Sequence, residues 1–311
     1  MSKLASLKGV NIISAKQFDR ETVLHLYRVA EELREKMRRG EKLDYANGKI
    51  MVTAFFEPST RTKLSFQFAM TKLGGTVIDF DVSTSSVLKG ETDVDTLKII
   101  DGYEPDIIVL RQKKPGFPEK IKDLINAVII NAGDGWNEHP TQALLDVYTI
   151  WRELGRINGI TIGIMGDLKY GRTPSSLSYL LSKFNDITIY YIAPKQLQIR
   201  EEVLKYIEGK VQYELIDNVE QVIEKLDVLY ITRLQVERIE DKSLAEKLKG
   251  SYRITKELLT KYKKIPMIMH PLPRTWELDP SVDELPQAKY FEQARNGLYV
   301  RAALIKEVLG L

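Results

Sequence analysis

The chain has 311 residues, of which 43% are hydrophobic and 29% are charged, and its net charge is +3. This length is comfortable for two domains, and the balanced charge argues against a nucleic-acid-binding protein, which usually carries a basic stripe. The absence of cysteine excludes disulfides, thiolate zinc sites and cysteine nucleophiles, and the three histidines lack metal-ligand spacing.

No signal for secretion or for a membrane is present in the sequence. No apolar run approaches the ~20 residues of a membrane span, and the N-terminus lacks a basic segment followed by a long apolar run. We therefore expect a soluble cytoplasmic protein without a membrane partner.

The first half of the chain predicts alternating helices and strands. An amphipathic helix is predicted over 21–38, and the apolar, β-favouring run 50–56 predicts a buried strand. Further strands are predicted over 76–80, 106–110 and 127–131, and further helices near 92–102 and 118–125. Helical crossovers between strands predict an open, mostly parallel sheet, whose ligands bind at the carboxyl ends of the strands.

The strand over 50–56 leads into a candidate phosphate site. Apolar residues at helical spacing predict that a helix follows: Phe66, Ala69, Met70 and Leu73. Three hydroxyls and a guanidinium precede that helix face: Ser59, Thr60, Arg61 and Thr62. Because a helix N-terminus has unpaired N–H groups and a positive dipole end, this segment predicts phosphate binding. A simple N-cap with a solvated arginine is the alternative.

Two more segments of this half carry candidate residues. Residues 81–91 form a polar loop that contains Ser85 and Lys89, and its composition alone indicates a plain connector. Arg111 ends the strand over 106–110, and His139 and Gln142 lie at a helix start after the turn that follows 127–131. His139 could cap that helix, but its place at the carboxyl end of a strand favours a functional role.

The second half predicts another α/β unit. Its strands are predicted over 160–165, 187–192, 211–215, 227–231 and 266–269, and a long last helix over about 288–310 is expected to pack on the first domain. The predicted domains are therefore residues 1–140, joined by 292–311, and residues 141–291. The predicted fold is a two-domain α/β protein in which helices flank both open sheets.

Arginines follow the strands of both predicted sheets. The segment 166–173 lacks Gly-x-Gly-x-x-Gly and carries Arg172, so we do not expect a nicotinamide cofactor or any other cofactor. Arg233 and Gln235 follow the fourth strand of the second sheet, and the proline-stiffened 270–274 follows the fifth. Five arginines share such positions: Arg61, Arg111, Arg172, Arg233 and Arg274. They indicate polyanionic ligands and a reaction driven by positioning and charge stabilisation.

Four motifs resemble those of the carbamoyltransferases. They are Phe-x-x-x-Ser-x-Arg-Thr at 55–62, His-Pro-x-Gln at 139–142, Gly-Asp-Leu-Lys-Tyr-Gly-Arg-Thr at 166–173 and His-Pro-Leu-Pro-Arg at 270–274. The resemblance extends from about residue 8 to the C-terminus and is to the aspartate branch of the family. It implies a two-domain α/β homotrimer that makes N-carbamoyl-L-aspartate and phosphate from carbamoyl phosphate and L-aspartate in pyrimidine synthesis.

The resemblance also implies roles for carbamoyl-phosphate ligands. Residues 59–62 would hold the phosphate, and Gln142 would hold the carbamoyl NH2 group. Thr62, Arg111 and His139 would surround the carbamoyl oxygen, where negative charge develops. Ser85 and Lys89 match residues that enter the neighbouring subunit's site in the family, although Leu88 stands where some members have a second lysine.

The aspartate ligands implied by the resemblance lie in the second domain. Arg172 would bind the α-carboxylate, and Arg233 with Gln235 would bind the β-carboxylate. The carbonyl of Leu272, held by Pro273, would orient the amine, and Lys89 would come from the neighbouring chain. The departing phosphate can accept the proton of the amine.

Two alternative functions and one additional partner stay open at this stage. Ornithine carbamoyltransferases resemble the chain too, but they usually carry a cysteine in the turn where this chain has Pro271. A non-catalytic anion-binding protein is the alternative from another class. Some family members also assemble with a separate regulatory chain.

Overall fold

The computed structural model describes residues 6–82, 90–233 and 252–311. The chain divides into two compact units, which we call unit 1 (Met1–Leu145 with Arg295–Leu311) and unit 2 (Asp146–Ala294). Each unit contains one parallel sheet with helices around it. The predicted fold class is therefore confirmed.

Unit 1 contains a four-stranded sheet in the order β2-β1-β3-β4. Its strands are β1 (Ile50–Phe55), β2 (Thr76–Phe80), β3 (Ile107–Gln112) and β4 (Val128–Asp134). Its helices are α1 (Arg20–Arg38), α2 (Thr60–Lys72), α3 (Asp93–Asp101) and α4 (Phe117–Ile121). The central strand β3 is buried along its whole length, which explains its unbroken apolar run from 107 to 110.

Unit 2 contains a five-stranded sheet in the order β7-β6-β5-β8-β9, and all of its pairings are parallel. Its strands are β5 (Thr161–Met165), β6 (Thr188–Ile192), β7 (Gln212–Ile216), β8 (Val228–Ile231) and β9 (Met267–Met269). Its helices are α6 (Arg172–Leu181), α7 (Glu201–Ile207) and α8 (Lys256–Thr260). Short 3-10 turns occur at Ala15–Gln17 in unit 1 and at Lys195–Leu197, Val219–Gln221, Ile223–Lys225 and Pro280–Glu284 in unit 2.

Two helices contain the boundaries between the units. These are α5 (Pro140–Leu154) and α9 (Tyr290–Leu309), because unit 1 ends at Leu145 and resumes at Arg295. The backbone N–H of Gly9 donates to the carbonyl of Val308 at 2.9 Å. The return of the C-terminal helix to the first domain is thus confirmed.

Some element boundaries differ from the sequence-based prediction. β3 continues past Leu110 through Arg111 and Gln112, because Gln112 pairs with Asp134 at the end of β4. α4 ends at Ile121 instead of reaching 125, and it begins after Gly116, whose φ is 72°. Arg111 therefore belongs to the strand and not to the loop after it.

The described residues offer neither a bilayer span nor a metal cluster. Among them, no helix has the length and the apolar character that crossing a bilayer requires. They also contain no group of three or more His, Asp or Glu side chains that could hold a metal ion.

Candidate active site

The N-terminus of α2 presents the predicted phosphate-binding segment. Ser59 is the N-cap in an extended conformation, and its side chain makes no capping hydrogen bond. The first turn of α2 contains no acidic residue, so its positive dipole end is not neutralised there. Thr60 and Arg61 are exposed. These features favour an anion site over a simple Ser cap.

Arg61 keeps its positive charge in this position. Partial desolvation lowers the pKa of its guanidinium, although the side chain remains exposed to solvent. Arginine stays protonated in proteins, so the side chain is charged near neutrality. A cation at the start of α2 therefore adds to the attraction of the helix end for a phosphate.

Thr62 and His139 meet inside unit 1. The Thr62 hydroxyl lies 3.4 Å from Nε2 of His139, and both residues are buried. His139 directly precedes α5, and its carbonyl accepts the N–H of Gln142 at 3.0 Å. The starts of α2 and α5 thus bring three predicted site residues into one neighbourhood.

Arg111 is fixed in the central strand beside this pair of helix starts. It lies opposite Phe55 in the β1–β3 register. Its Nε is 3.2 Å from a carboxylate oxygen of Glu57, and its Nη1 donates to the carbonyl of Ala132 at 3.2 Å. These two contacts hold a largely buried guanidinium at the carboxyl ends of β1, β3 and β4.

An acidic pair that the sequence analysis did not identify holds the loop before His139. Asp134, at the end of β4, accepts four hydrogen bonds: from Asn131 (3.0 Å), Glu138 N–H (3.1 Å), Gly116 N–H (2.7 Å) and Asn137 (2.9 Å). Glu138 accepts from the hydroxyl of Ser14 and from the N–H of Ala15. Both acids are buried. Glu138, the residue before His139, is thus held through its N–H by Asp134 and through its carboxylate by Ser14 and Ala15.

We expect Asp134→Asn to lower the free energy of unfolding by about 3 kcal/mol. Each carboxylate oxygen of Asp134 accepts two hydrogen bonds, and the NH2 group that replaces one oxygen cannot accept them. Urea denaturation measures this loss. The exposed Asp123→Asn is the control and should change stability by no more than about 0.5 kcal/mol. Equal losses in the two variants would show that the four hydrogen bonds of Asp134 contribute no special stability.

The candidate aspartate ligands of unit 2 follow β5, β8 and β9, which are neighbours in the sheet. Arg172 is the first residue of α6, and Arg233 is exposed just after β8. Gly166 directly follows β5 and has φ +123°, and a Cβ there would lie 2.3 Å from the carbonyl oxygen of Thr232. Only glycine therefore allows the loops after β5 and β8 to approach so closely. Ser85, Lys89 and Gln235 lie outside the described residues.

The turn after β9 holds Leu272 in an unusual conformation. Leu272 has φ +57°, a left-handed value that is uncommon for a residue other than glycine. Its N–H donates to Nδ1 of His270 at 2.7 Å, and Nε2 of His270 lies 3.0 Å from Glu277. Because Nδ1 accepts a hydrogen bond, the ring proton belongs on Nε2, which donates to Glu277. Leu272 and Pro273 are thus held by a buried His–Glu pair.

Glu277 is a strong acceptor in this turn. Burial alone would raise its pKa, but hydrogen bonds from His270 and Thr275 outweigh burial and hold the pKa at about 2. The N–H of Thr275 donates to it at 2.9 Å. The carboxylate is therefore charged near neutrality and can hold His270 in the tautomer that accepts from Leu272.

Arg274 differs from the other sheet-edge arginines. Its guanidinium pairs with Asp283 through both terminal nitrogens and lies over the rings of Tyr290 and Phe291. Its interpretation as a ligand-facing arginine is not supported, because these contacts within unit 2 already occupy the side chain. The carboxylate of Asp283 raises the pKa of Arg274.

Two models of one protein family match nearly the whole chain. The model for the carbamoyl-P binding domain of the aspartate/ornithine carbamoyltransferases matches residues 11–152. The model for the Asp/Orn binding domain of the same family matches residues 158–308. The aspartate carbamoyltransferase catalytic subunit of Methanocaldococcus jannaschii is 46% identical over 301 residues, which are 96% of this chain and 97% of that protein.

A second relative is a much longer protein, of which only one part matches this chain. The multifunctional protein CAD of Squalus acanthias is 44% identical over 97% of this chain, which corresponds to 13% of that protein.

Solved structures are similar over the whole chain. The Trypanosoma cruzi aspartate transcarbamoylase in complex with carbamoyl phosphate and aspartate superposes with a TM-score of 0.93 at 40% identity, over 98% of this chain and 96% of that one. The catalytic subunit of M. jannaschii aspartate transcarbamoylase gives 0.89 at 45% identity, over 96% and 97%.

Proposed function

The chain belongs to the aspartate/ornithine carbamoyltransferase family, and on this premise we propose that it transfers the carbamoyl group of carbamoyl phosphate to the amine of L-aspartate. The products are N-carbamoyl-L-aspartate and phosphate, as in de novo pyrimidine biosynthesis. The observation that carries the proposal is the open N-terminus of α2 with Thr62 and His139 in contact beside it.

Carbamoyl phosphate binds to residues of unit 1 in this proposal. The phosphate lies at the start of α2, where backbone N–H groups, the hydroxyls of Ser59, Thr60 and Thr62 and the Arg61 guanidinium surround it. Gln142 binds the carbamoyl NH2 group. Ser85 and Lys89 contribute from a neighbouring chain, as the resemblance implies.

The carbamoyl oxygen lies against Thr62, Arg111 and His139. Negative charge builds on this oxygen when the aspartate amine attacks the carbamoyl carbon, so donors already in place lower the barrier. Contacts with Glu57 and Ala132 limit the movement of Arg111. The hydrogen bonds that Asp134 and Glu138 accept in the preceding loop limit the movement of His139. The C–O bond to phosphate then breaks, and the departing phosphate takes the proton of the amine.

Aspartate binds to residues of unit 2. Arg172 binds the α-carboxylate at the positive end of α6, and Arg233 with Gln235 binds the β-carboxylate. The carbonyl of Leu272, in the turn held by His270, accepts a hydrogen bond from the amine. Two arginines suit a dicarboxylate, whereas the side-chain ammonium of ornithine would need an anion.

We expect Arg233→Ala to raise the aspartate KM at least about tenfold and to change the carbamoyl phosphate KM by less than about twofold, because one charged pair with the β-carboxylate is lost. Steady-state kinetics with each substrate varied in turn measures both constants. Arg156→Ala is the matched control, since Arg156 pairs with Asp227 just before β8, at the amino end of the sheet.

Equal increases in both constants would remove Arg233 from the aspartate site.

An assay of the unmodified chain tests the proposed activity itself. That chain should form carbamoyl aspartate and should form no citrulline from ornithine; citrulline formation would contradict the substrate assignment.

We also propose a cytoplasmic homotrimer. Leu64 and Phe68, four residues apart on α2, are 45% and 56% exposed, and Ile78 on the edge strand β2 is 50% exposed. Exposed apolar side chains on a helix and an unpaired strand edge are typical of a surface that another chain covers. A separate regulatory chain is a further partner known in some family members.

The mass in solution tests this assembly. Light scattering should give three times the 35.7 kDa of one chain. Leu64→Asp should lower the mass by placing a charge in the interface. Leu124→Asp should not, although Leu124, between α4 and β4, is 52% exposed. An unmodified chain with the mass of a monomer would rule out the trimer.

A further inference from the structure

A chain of buried polar side chains runs through unit 2 and takes no direct part in the proposed reaction. Its members, in order of contact, are Thr173, Tyr230, Asp146, Gln293 and His270. Tyr230, Asp146, Gln293 and His270 are at most 1% exposed. We call these five residues the polar chain.

One half of the polar chain leads from Asp146 to the start of α6. The Tyr230 hydroxyl donates to a carboxylate oxygen of Asp146 at 2.8 Å and also makes a hydrogen bond with the Thr173 side chain. Burial and the nearby Asp146 charge raise the pKa of Tyr230 well above its usual value, so the phenol stays protonated and donates. Thr173 directly follows Arg172, the proposed ligand of the α-carboxylate.

The other half leads from Asp146 to the turn after β9. The side-chain amide of Gln293 donates to the second carboxylate oxygen of Asp146 at 2.7 Å. The carbonyl oxygen of Gln293 accepts the backbone N–H of His270 at 2.9 Å. The ring of His270 in turn accepts the N–H of Leu272, whose carbonyl is the proposed acceptor for the aspartate amine.

Asp146 is the point where the two halves meet. One carboxylate oxygen accepts a hydrogen bond from Tyr230 and the other accepts one from Gln293. The position of Asp146 therefore depends on both residues. A buried carboxylate is costly, and well-packed apolar side chains often stabilise a core equally well. A role beyond stability is therefore indicated by where the polar chain ends: one residue from Arg172 and two residues from Leu272.

We propose that Asp146, Tyr230 and Gln293 are positioning residues that hold Arg172 and the Leu272 carbonyl at a fixed separation for aspartate. None of the three contacts the substrate. The inference rests on the proposed function, because it takes Arg172 and Leu272 as aspartate ligands. It adds residues of α5, β8 and α9 to those that determine aspartate binding.

The test compares two buried tyrosines of the same sheet. Tyr230→Phe removes the donor to Asp146 and should raise the aspartate KM at least about tenfold, with the carbamoyl phosphate KM changed by less than about twofold. Tyr191→Phe is the matched control. Tyr191 is also fully buried, and its hydroxyl donates at 2.7 Å to Ser178, in the middle of α6. It should lose stability without a change in either KM.

A double variant tests whether the polar chain acts as one unit. Gln293→Leu alone should also raise the aspartate KM. In Tyr230→Phe/Gln293→Leu, the rise should be clearly smaller than the product of the two single effects, because the second change acts on a connection that is already broken. A rise equal to that product would mean that the two contacts act independently, which contradicts the proposal.

The outcomes separate this inference from the proposed function. An unmodified chain that makes no carbamoyl aspartate would overturn both. A fully active unmodified chain with an unchanged aspartate KM in Tyr230→Phe, or with equal rises in Tyr230→Phe and Tyr191→Phe, would overturn only the positioning role. If Tyr230→Phe fails to fold, the aspartate KM of Gln293→Leu decides, and an unchanged value overturns the inference.

Discussion

Arg61→Ala should lower kcat by at least ~10³, a loss of about 4 kcal/mol of transition-state stabilisation. Arg61 lies in the first turn of α2, where no acidic side chain competes for its charge, and it is proposed to bind the phosphate that leaves. Negative charge on that phosphate grows as the C–O bond breaks. Loss of the Arg61 guanidinium should therefore reduce turnover more than it weakens substrate binding.

Lys72→Ala is the control for this change. It removes the same charge from the last turn of the same helix, at an exposed position, and should leave kcat within about twofold. Circular dichroism of both variants should show an unchanged total helix content. Near-normal turnover by Arg61→Ala would remove the phosphate site from the start of α2.

Mixing two inactive variants should restore about a quarter of the unmodified activity. The variants are Lys89→Ala and His139→Ala, dissociated, mixed one to one and reassembled. If each site takes Lys89 from one chain and His139 from the next, half of the chains supply each intact residue, so one site in about four is complete. The recovered rate per site, with mixed trimers verified by mass, is the measurement.

The control for this experiment mixes Arg61→Ala with His139→Ala. Both residues are proposed to act from the same chain, so no site in that mixture is complete and no activity should return. Activity in the control, or none in the Lys89 mixture, would mean that the sites are not divided between chains as proposed.

Most of the secondary structure was predictable from local patterns. The runs that became β3 and β8 are apolar over four residues, and that of β1 is interrupted only by Thr53. α2 shows helical spacing from Phe66 to Leu73. The end of β3 was missed because Gln112 joins the sheet through its partner Asp134, and this pairing has no signal in the sequence around 112.

The candidate site was predictable only where its proposed residues stand in recognisable motifs. The helix start at 59–62 and His139 were found in this way, and the contact between Thr62 and His139 agrees with the shared role proposed for them. Arg274 was misjudged because its partner Asp283 follows nine residues later, beyond any local pattern. The polar chain was missed for the same reason, since Asp146 and Gln293 are 147 positions apart.

The shared helix α9 has a consequence for the order in which the protein can fold. Unit 1 contains the first 145 residues and also Arg295–Leu311. During synthesis from the N-terminus, the unit made first therefore lacks a helical segment until unit 2, which is one continuous stretch, has left the ribosome. Because domains generally fold as units while the chain emerges, unit 2 can finish before unit 1. A chain that ends at Ala294 would thus contain all of unit 2 but only part of unit 1.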